Sequence, residues 1–287
     1  HNHYKEGRDS PNIPLNTKSP EFNAWRLQRP RSMDPQREAG PVSLGRYDGD
    51  GGPPTFGGHP LALSKEDLVA GKVDVAIIGV PNNASSGRRD AGNGPNAMRA
   101  TNTIAMPDVQ SLIKPDEVLS LADYGNFSVD WLTTELTVGH VTDMVAETAG
   151  TGAIPMLVGG DTSMLYPGVK GVARARGGEP FGLLQLNAHP DAERFGDHTV
   201  SDRQSIFLLL DEGIVKGSDT IQVGLRGPAV TVETLQWLRE QKVRYHTMAE
   251  ISQRGFEPVL KRVLQEVDSG NRASGDLHTG NNGHDVD

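Results

Sequence analysis

Met156-Leu-Val-Gly-Gly-Asp-Thr-Ser-Met164 and Leu184-Gln-Leu-Asn-Ala-His-Pro-Asp191 each begin as a short apolar run and end in a polar cluster. An apolar run that stops at Gly-Gly-Asp and leads into a helical pattern is a strand feeding a loop and then a helix. In open α/β sheets, ligands bind where strands end and loops begin. Side chains alternate along extended chain, so Asn187, His189 and Asp191 are expected to point the same way. An amide, an imidazole and a carboxylate on one face fall one negative charge short of a metal site, and the missing charge is at Asn187.

The rest of the chain repeats the strand–loop–helix rhythm. Ser64 to Asp67 has capping-box spacing and opens a short helix to about Ala70. Val73 to Val80 is a near-continuous apolar run, the pattern of a strand buried on both faces. It leads into a polar loop containing Arg88 and Arg89, and then a helix from about Asn96. Further strands are expected at Val118–Ala122, Ile154–Val158, Phe181–Leu186, Thr220–Leu225 and Val243–His246. Helices are expected at Leu132–Ala149, Ser163–Ala175, Ser205–Glu212, Val232–Gln241 and Glu257–Val267. Trp237 and Leu238 are expected to face inward. Val259, Leu260, Val263, Leu264 and Val267 fit one apolar stripe. Strands alternating with helices imply a mostly parallel sheet covered on both faces, an α/β fold of one domain from about 64 to 268.

The ends of the chain differ. Residues 1–60 are rich in Pro and Gly and too sparse in apolar residues to hold a core. They form an arm that is either disordered or laid over another surface; Phe22, Trp25 and Phe56 suit the second option. Ser269 to Asp287 holds one Leu, one Val and one Ala against four Gly and three Asn, and is expected to be a disordered tail.

Composition narrows the function. A net charge of −9 argues against a nucleic-acid partner, which needs a basic face. The absence of Cys excludes disulfides and thiolate metal ligands. No apolar run approaches the roughly 18 residues of a membrane span. No secretory signal pattern is evident, so a cytoplasmic location is the simplest expectation. A dinucleotide-binding reading requires a glycine-rich turn after the first strand, and Val80-Pro-Asn-Asn is not one.

Taken together, these motifs resemble the ureohydrolases, the arginase and agmatinase family. Its members carry Gly-Gly-Asp-His, then Asp-Ala-His-x-Asp, then Ser-x-Asp-x-Asp. Here the first two are Gly159-Gly-Asp-Thr162 and Asn187-Ala-His-Pro-Asp191. Gly79-Val-Pro81 with Gly94-Pro95 and Arg99 resembles the family's first loop, and Gln222-Val-Gly-Leu-Arg226 its later strand. Pro54-Thr-Phe-Gly-Gly58 with Pro60 resembles the arm of guanidine- and metformin-hydrolase-like members. The resemblance covers roughly residues 50 to 268. It implies a three-layer α-β-α fold with the C-terminal strands missing, and hydrolysis of small guanidino compounds to urea and an amine. It also implies a trimer or hexamer and two divalent ions, manganese or nickel, sharing a hydroxide whose pKa they lower.

Several of the family's ligand positions are changed. Thr162 stands for a His, and Asn187 for a bridging carboxylate. His189, Asp191 and Asp161 remain as remnant ligands. Asp285 and Asp287 have the spacing of the late pair, but no apolar strand leads into them. Asn126 falls where members often have Asp, and His198 resembles a substrate-side catalytic His. Each residue also has a plainer reading. Asp161, Thr162 and Ser163 could cap a helix; His189 could be a merely hydrogen-bonded His; His198, Arg88 and Arg89 could be solvated surface groups. Apolar core runs are kept while ligands are selectively lost. The expected role is therefore a non-catalytic subunit, partnered with an active paralogue or with copies of itself. The alternative is a self-sufficient agmatinase- or guanidinobutyrase-type enzyme with altered ligands.

Overall fold

The computed structural model describes residues 38–42, 54–83, 91–101, 109–130, 132–194, 200–228 and 231–273, the last six by backbone alone. They fall into two compact units. The first comprises the chain to Pro81, Gly92–Phe127 and Glu147–Gly160; the second comprises Asn82–Ala91, Ser128–Ala146 and the chain from Asp161.

In the first unit, α1 (Lys65–Ala70) precedes β1 (Val75–Val80), α2 (Gly94–Thr101), α3 (Pro115–Val118), β2 (Leu121–Asn126) and β3 (Ile154–Gly159). Ser64 is the N-cap residue of α1 but makes no side-chain cap bond. The acid of the capping box, Asp67, instead accepts Leu63 N at 2.9 Å and Gly40 N at 2.9 Å. The strands pair in parallel in the order β2-β1-β3, and five of β1's six residues are buried. The expected second strand begins later than its apolar residues suggest. Pro115, at the start of a helical turn, holds Pro115–Val118 helical, and the extended run starts at Leu121.

The described part of the N-terminal arm belongs to this unit. Leu61 bridges Val42 on one side and Asp123 on the other, which covers the outer edge of β2. Phe56 is fully buried against Ile77 and Val158. This is the surface-laid option for the arm, at least over 54–62. Its hold is a buried ion pair. Arg99 donates from Nε and Nη2 to the two Asp123 oxygens at 2.7 and 2.9 Å, and from Nη1 to Asn126 Oδ1 at 2.7 Å. Phe56 N donates to Asp123 Oδ2 at 3.0 Å, and the Arg99 guanidinium lies 4.0 Å over the Phe56 ring. Gly94 is required where α2 starts, because a Cβ there would sit 2.7 Å from Gly159 O.

In the second unit, the order continues with α4 (Thr134–Gly150, ending in the first unit), α5 (Leu165–Ala175), β4 (Leu183–Leu186), α6 (Ser205–Asp211) and β5 (Thr220–Leu225). It ends with α7 (Val232–Glu240), β6 (Arg244–Thr247), α8 (Met248–Arg254) and α9 (Phe256–Ala273). The strands are again parallel, in the order β4-β5-β6, and every residue of β5 is buried. Pro167 is tolerated in α5 because it lies in the first turn, where its missing N–H costs nothing. The stripe on α9 is buried only in part. Val259 and Val263 pack on Ile221 and Val223, whereas Leu260 and Leu264 are exposed, because no described element covers that side. Leu238 is fully buried beside Ile206 and Leu210, and Trp237 is half-buried at its edge. Among the described residues, no helix is long and apolar enough to cross a membrane.

Candidate functional site: a carboxylate held by amides

The loop after β4 is shaped by β5. Asn187 N donates to Val223 O at 3.0 Å, and Arg226 N donates to Ala188 O at 2.9 Å. Between these bonds sits Gly224, at φ 99°, with Asn187 O only 3.2 Å from where a Cβ would be. A side chain there would combine a disfavoured backbone conformation with a tight contact. The register of β5 on β6 shifts at this point, between Val223 and Leu225. The glycine of the Gln222-Val-Gly-Leu-Arg226 motif is therefore what lets the Asn187 loop lie against β5.

The simple alternation expected for Asn187, His189 and Asp191 stops at Leu186, where the strand ends. The chain bends at Ala188 and His189, and Asp191 takes a left-handed conformation, φ 48°. As a result Asp191 is buried and turned back toward the strand, while His189 is exposed. Asn187 Nδ2 donates to Asp191 Oδ2 at 2.6 Å, and Gln185 Nε2 donates to the same oxygen at 2.9 Å. Gln222 Nε2 donates in turn to Gln185 Oε1 at 2.6 Å and to Pro190 O at 2.8 Å. Gln185 and Gln222 are register partners across β4 and β5. A chain of amides thus runs from β5 to the carboxylate.

Burial pushes the Asp191 carboxyl up to about 7, and the Asp202 and Glu193 charges push the same way; the Gln185 and Asn187 hydrogen bonds pull it back in part. Both hydrogen bonds fall on one oxygen, Oδ2. Gln185 is missed by motif reasoning, and Gln222 is read only as part of a landmark strand, without this role. The available signal is a polar amide between apolar neighbours in two adjacent strands, Leu184-Gln-Leu and Ile221-Gln-Val.

Asp161 is likewise engaged. It caps the helical turn Thr162–Met164 by accepting Ser163 N at 3.1 Å, and it accepts the Ser163 hydroxyl. Asn82 Nδ2 contacts Asp161 Oδ1 at 3.4 Å and Ser163 Oγ at 3.0 Å. The capping role therefore belongs to Asp161 rather than Thr162. Thr162 is exposed; its hydroxyl lies 3.4 Å from Asp202 O and its carbonyl accepts Ser205 Oγ at 3.2 Å. Asn126 Oδ1 is taken by Arg99. His198, Asp285, Asp287, Arg88 and Arg89 lie outside the described residues.

The donor set fits a pair of dications poorly. Among the described residues, no three His, Asp or Glu side chains are grouped to hold a metal ion. Asp191 Oδ2 accepts two N–H donors, which compete with a positive ion for that oxygen. A hollow of about 450 Å³ lies elsewhere in this unit, lined by Glu193, Arg194, Thr231, Glu233, Trp237 and Glu240 among others. It includes none of Asn187, His189 or Asp191 and is a separate feature.

The comparisons with known proteins agree with the motifs. The family model for the Arginase family matches residues 73–275. The chain is 27% identical over 213 residues to the mitochondrial guanidino acid hydrolase of Rattus norvegicus, covering 72% of this chain and 58% of that protein. It is 26% identical over 230 residues to the guanidinobutyrase of Pseudomonas aeruginosa, covering 76% of this chain and 70% of the relative. Among solved structures, a hypothetical agmatinase from Burkholderia thailandensis superposes with a TM-score of 0.65 at 21% identity, over 76% of this chain and 65% of that one. Formimidoylglutamase from Bacillus subtilis superposes with a TM-score of 0.63 at 24% identity, over 69% and 62%. One of the neighbours of the same fold, a Trypanosoma cruzi formiminoglutamase, was solved with manganese. The chain spans just under three-fifths of the length of the mammalian relatives it matches. An arginase-like α/β fold with parallel strands, landmark loops in order, and a match over residues 73–275 place this chain in the arginase (ureohydrolase) family.

Proposed function

We propose that this chain is a ureohydrolase-family subunit of a hydrolase of guanidino or biguanide compounds, and that its own dinuclear metal centre is incomplete. It acts as the structural partner of an active paralogue. The observation that carries this reading is the amide clamp on Asp191: Asn187 and Gln185 both donate to its Oδ2, so one of the remaining family carboxylates is held by amides. Two dications close together repel strongly and require several carboxylates to hold them. The change from carboxylate to amide at Asn187 removes a charge and adds a competing donor in the same step. The named activities of the relatives, guanidino acid hydrolase and guanidinobutyrase, support the substrate class. The cytoplasm is the proposed location, and a trimer or hexamer containing the paralogue the proposed assembly.

The test is urea release from a panel of guanidino acids, agmatine and biguanides. It is run on this chain alone, on a paralogue with the Gly-Gly-Asp-His and Asp-x-His-x-Asp motifs intact, and on the two together. The proposal expects no release by this chain alone and greater or more stable activity in the mixture than from the paralogue alone. Urea release by this chain alone, with added manganese or nickel, would establish the self-sufficient enzyme instead.

A further inference from the structure

His59 sits in the middle of the arm segment 54–62. On one side of it Phe56 is fully buried. On the other side Pro60 O accepts Asp123 N at 2.9 Å and Ala62 N donates to Asp123 O at 2.8 Å, which lays the arm along the outer side of β2. The His59 backbone closes the turn between these anchors. Its N–H donates to Phe56 O at 3.0 Å, and its carbonyl accepts the Thr55 hydroxyl at 2.8 Å. His59 is 4% exposed, and its Nε2 is buried with no hydrogen-bond partner among the described residues. Buried polar atoms are nearly always paired, so an orphaned ring nitrogen calls for a reason.

The charged groups that act on the ring are engaged elsewhere. Lys114, the N-cap residue of α3, pairs with Asp116 of α3 at 3.2 Å. Asp123 of β2 is taken by Arg99 of α2, by Phe56 N and by Gly125 N. Burial pushes the His59 pKa below its ordinary value; the Asp116 and Asp123 charges oppose this, and the Lys114 charge adds to it. A neutral imidazole is tolerated in this place. A charged one has both nitrogens as donors, one of them buried without an acceptor, and no free counter-ion beside it.

We propose that His59 makes this arm a pH-sensitive strap, docked on β2 while the ring is neutral and loosened once the ring is charged. The docked ring binds a proton less readily than the same ring in a detached arm, whose value is near 6.5. Docking is therefore at full strength above about pH 6.5 and weakens as pH falls toward the docked value. At pH 5.5 a detached ring is about ten parts charged to one part neutral, which caps the weakening at about tenfold. The opening is local: Phe56 leaves its seat against Ile77 and Val158, and the outer side of β2 is uncovered.

The experiment is amide hydrogen exchange on the full 287-residue chain at pH 7.5 and pH 5.5, each read as protection relative to an unstructured peptide at the same pH. The expected result is protection about three- to tenfold lower at pH 5.5 for the amides of Phe56, Leu61, Ala62 and Asp123, with no such fall over 220–225 in the other unit. Neither His59→Leu nor His59→Gln titrates, so each should abolish the pH dependence. Nε2 has no bond to lose, so His59→Leu should dock as firmly as the wild type at pH 7.5. Equal wild-type protection at both pH values overturns the proposal. So does the same fall in His59→Gln, which would assign the dependence to Asp116 or Asp123. A ring titration of His59, followed by NMR, at or above about 6.5 overturns it as well.

Discussion

At the residue scale, Asp191 carries the account. A carboxyl raised to about 7 in the folded chain takes up protons more readily than the same group unfolded, whose value is near 4. The folded state therefore binds more protons between these limits. The stability this contributes is fully present below about pH 4 and is lost as pH rises through about 7. A shift of about three units sets an upper bound of about 4 kcal/mol. The melting temperature should accordingly fall between pH 5 and pH 7.5. Asp191→Asn keeps an acceptor oxygen for Asn187 and Gln185, so it should flatten this dependence while the chain still folds; a wild-type slope retained in the variant would refute the assignment. The motif residues themselves are legible in the sequence, but their use is not. Left-handed Asp191 and the bend at Ala188 come from bonds to β5, 35 or so residues away in the chain, and local alternation carries no trace of them.

At the scale of elements, the arrangement is legible wherever one physical signal dominates. Val75–Val80, Ile154–Gly159 and Thr220–Leu225 are apolar runs bounded by turn residues, and the expected and observed strands differ by two residues at most. Where the reading fails at Pro115–Val118, two signals compete: the proline sets a helical turn in front of the apolar run, whereas the short helix Met248–Arg254 carries no expectation from the sequence. Arg99 is a motif residue that turns out to be an architectural one. It joins α2, β2 and the Phe56 arm through two bonds to Asp123, one to Asn126 and a stacked ring. Breaking a buried pair by removing one partner costs about 3–5 kcal/mol, because the other charge is left uncompensated. Arg99→Ala should lower stability to denaturant by that amount and raise exchange of the Phe56 amide, whose acceptor is Asp123. A loss under about 1 kcal/mol would show the pair to be dispensable.

At the scale of the whole molecule, family membership was readable because it depends on the order of several motifs, Gly79-Val-Pro81, Gly159-Gly-Asp161, Asn187-Ala-His189 and Gln222-Val-Gly224, more than on any one side chain. The state of the site was only half readable. Sequence exposes the exchanges at Thr162 and Asn187, but not the recruitment of Gln185, Gln222, Asn82 and Ser163 to satisfy the carboxylates that remain. Those partners are set by strand register and by a helix cap, both tertiary facts. On the proposed reading, a site whose surviving acids are held in amide and cap bonds serves as part of the framework. The most direct test of that claim is the metal content of the full chain by elemental mass spectrometry, after incubation with manganese or nickel and removal of free ion. The account predicts far less than one ion per chain. Close to two ions per chain would contradict it, and would mean that Asn187 and Gln185 give up Asp191 to the metal.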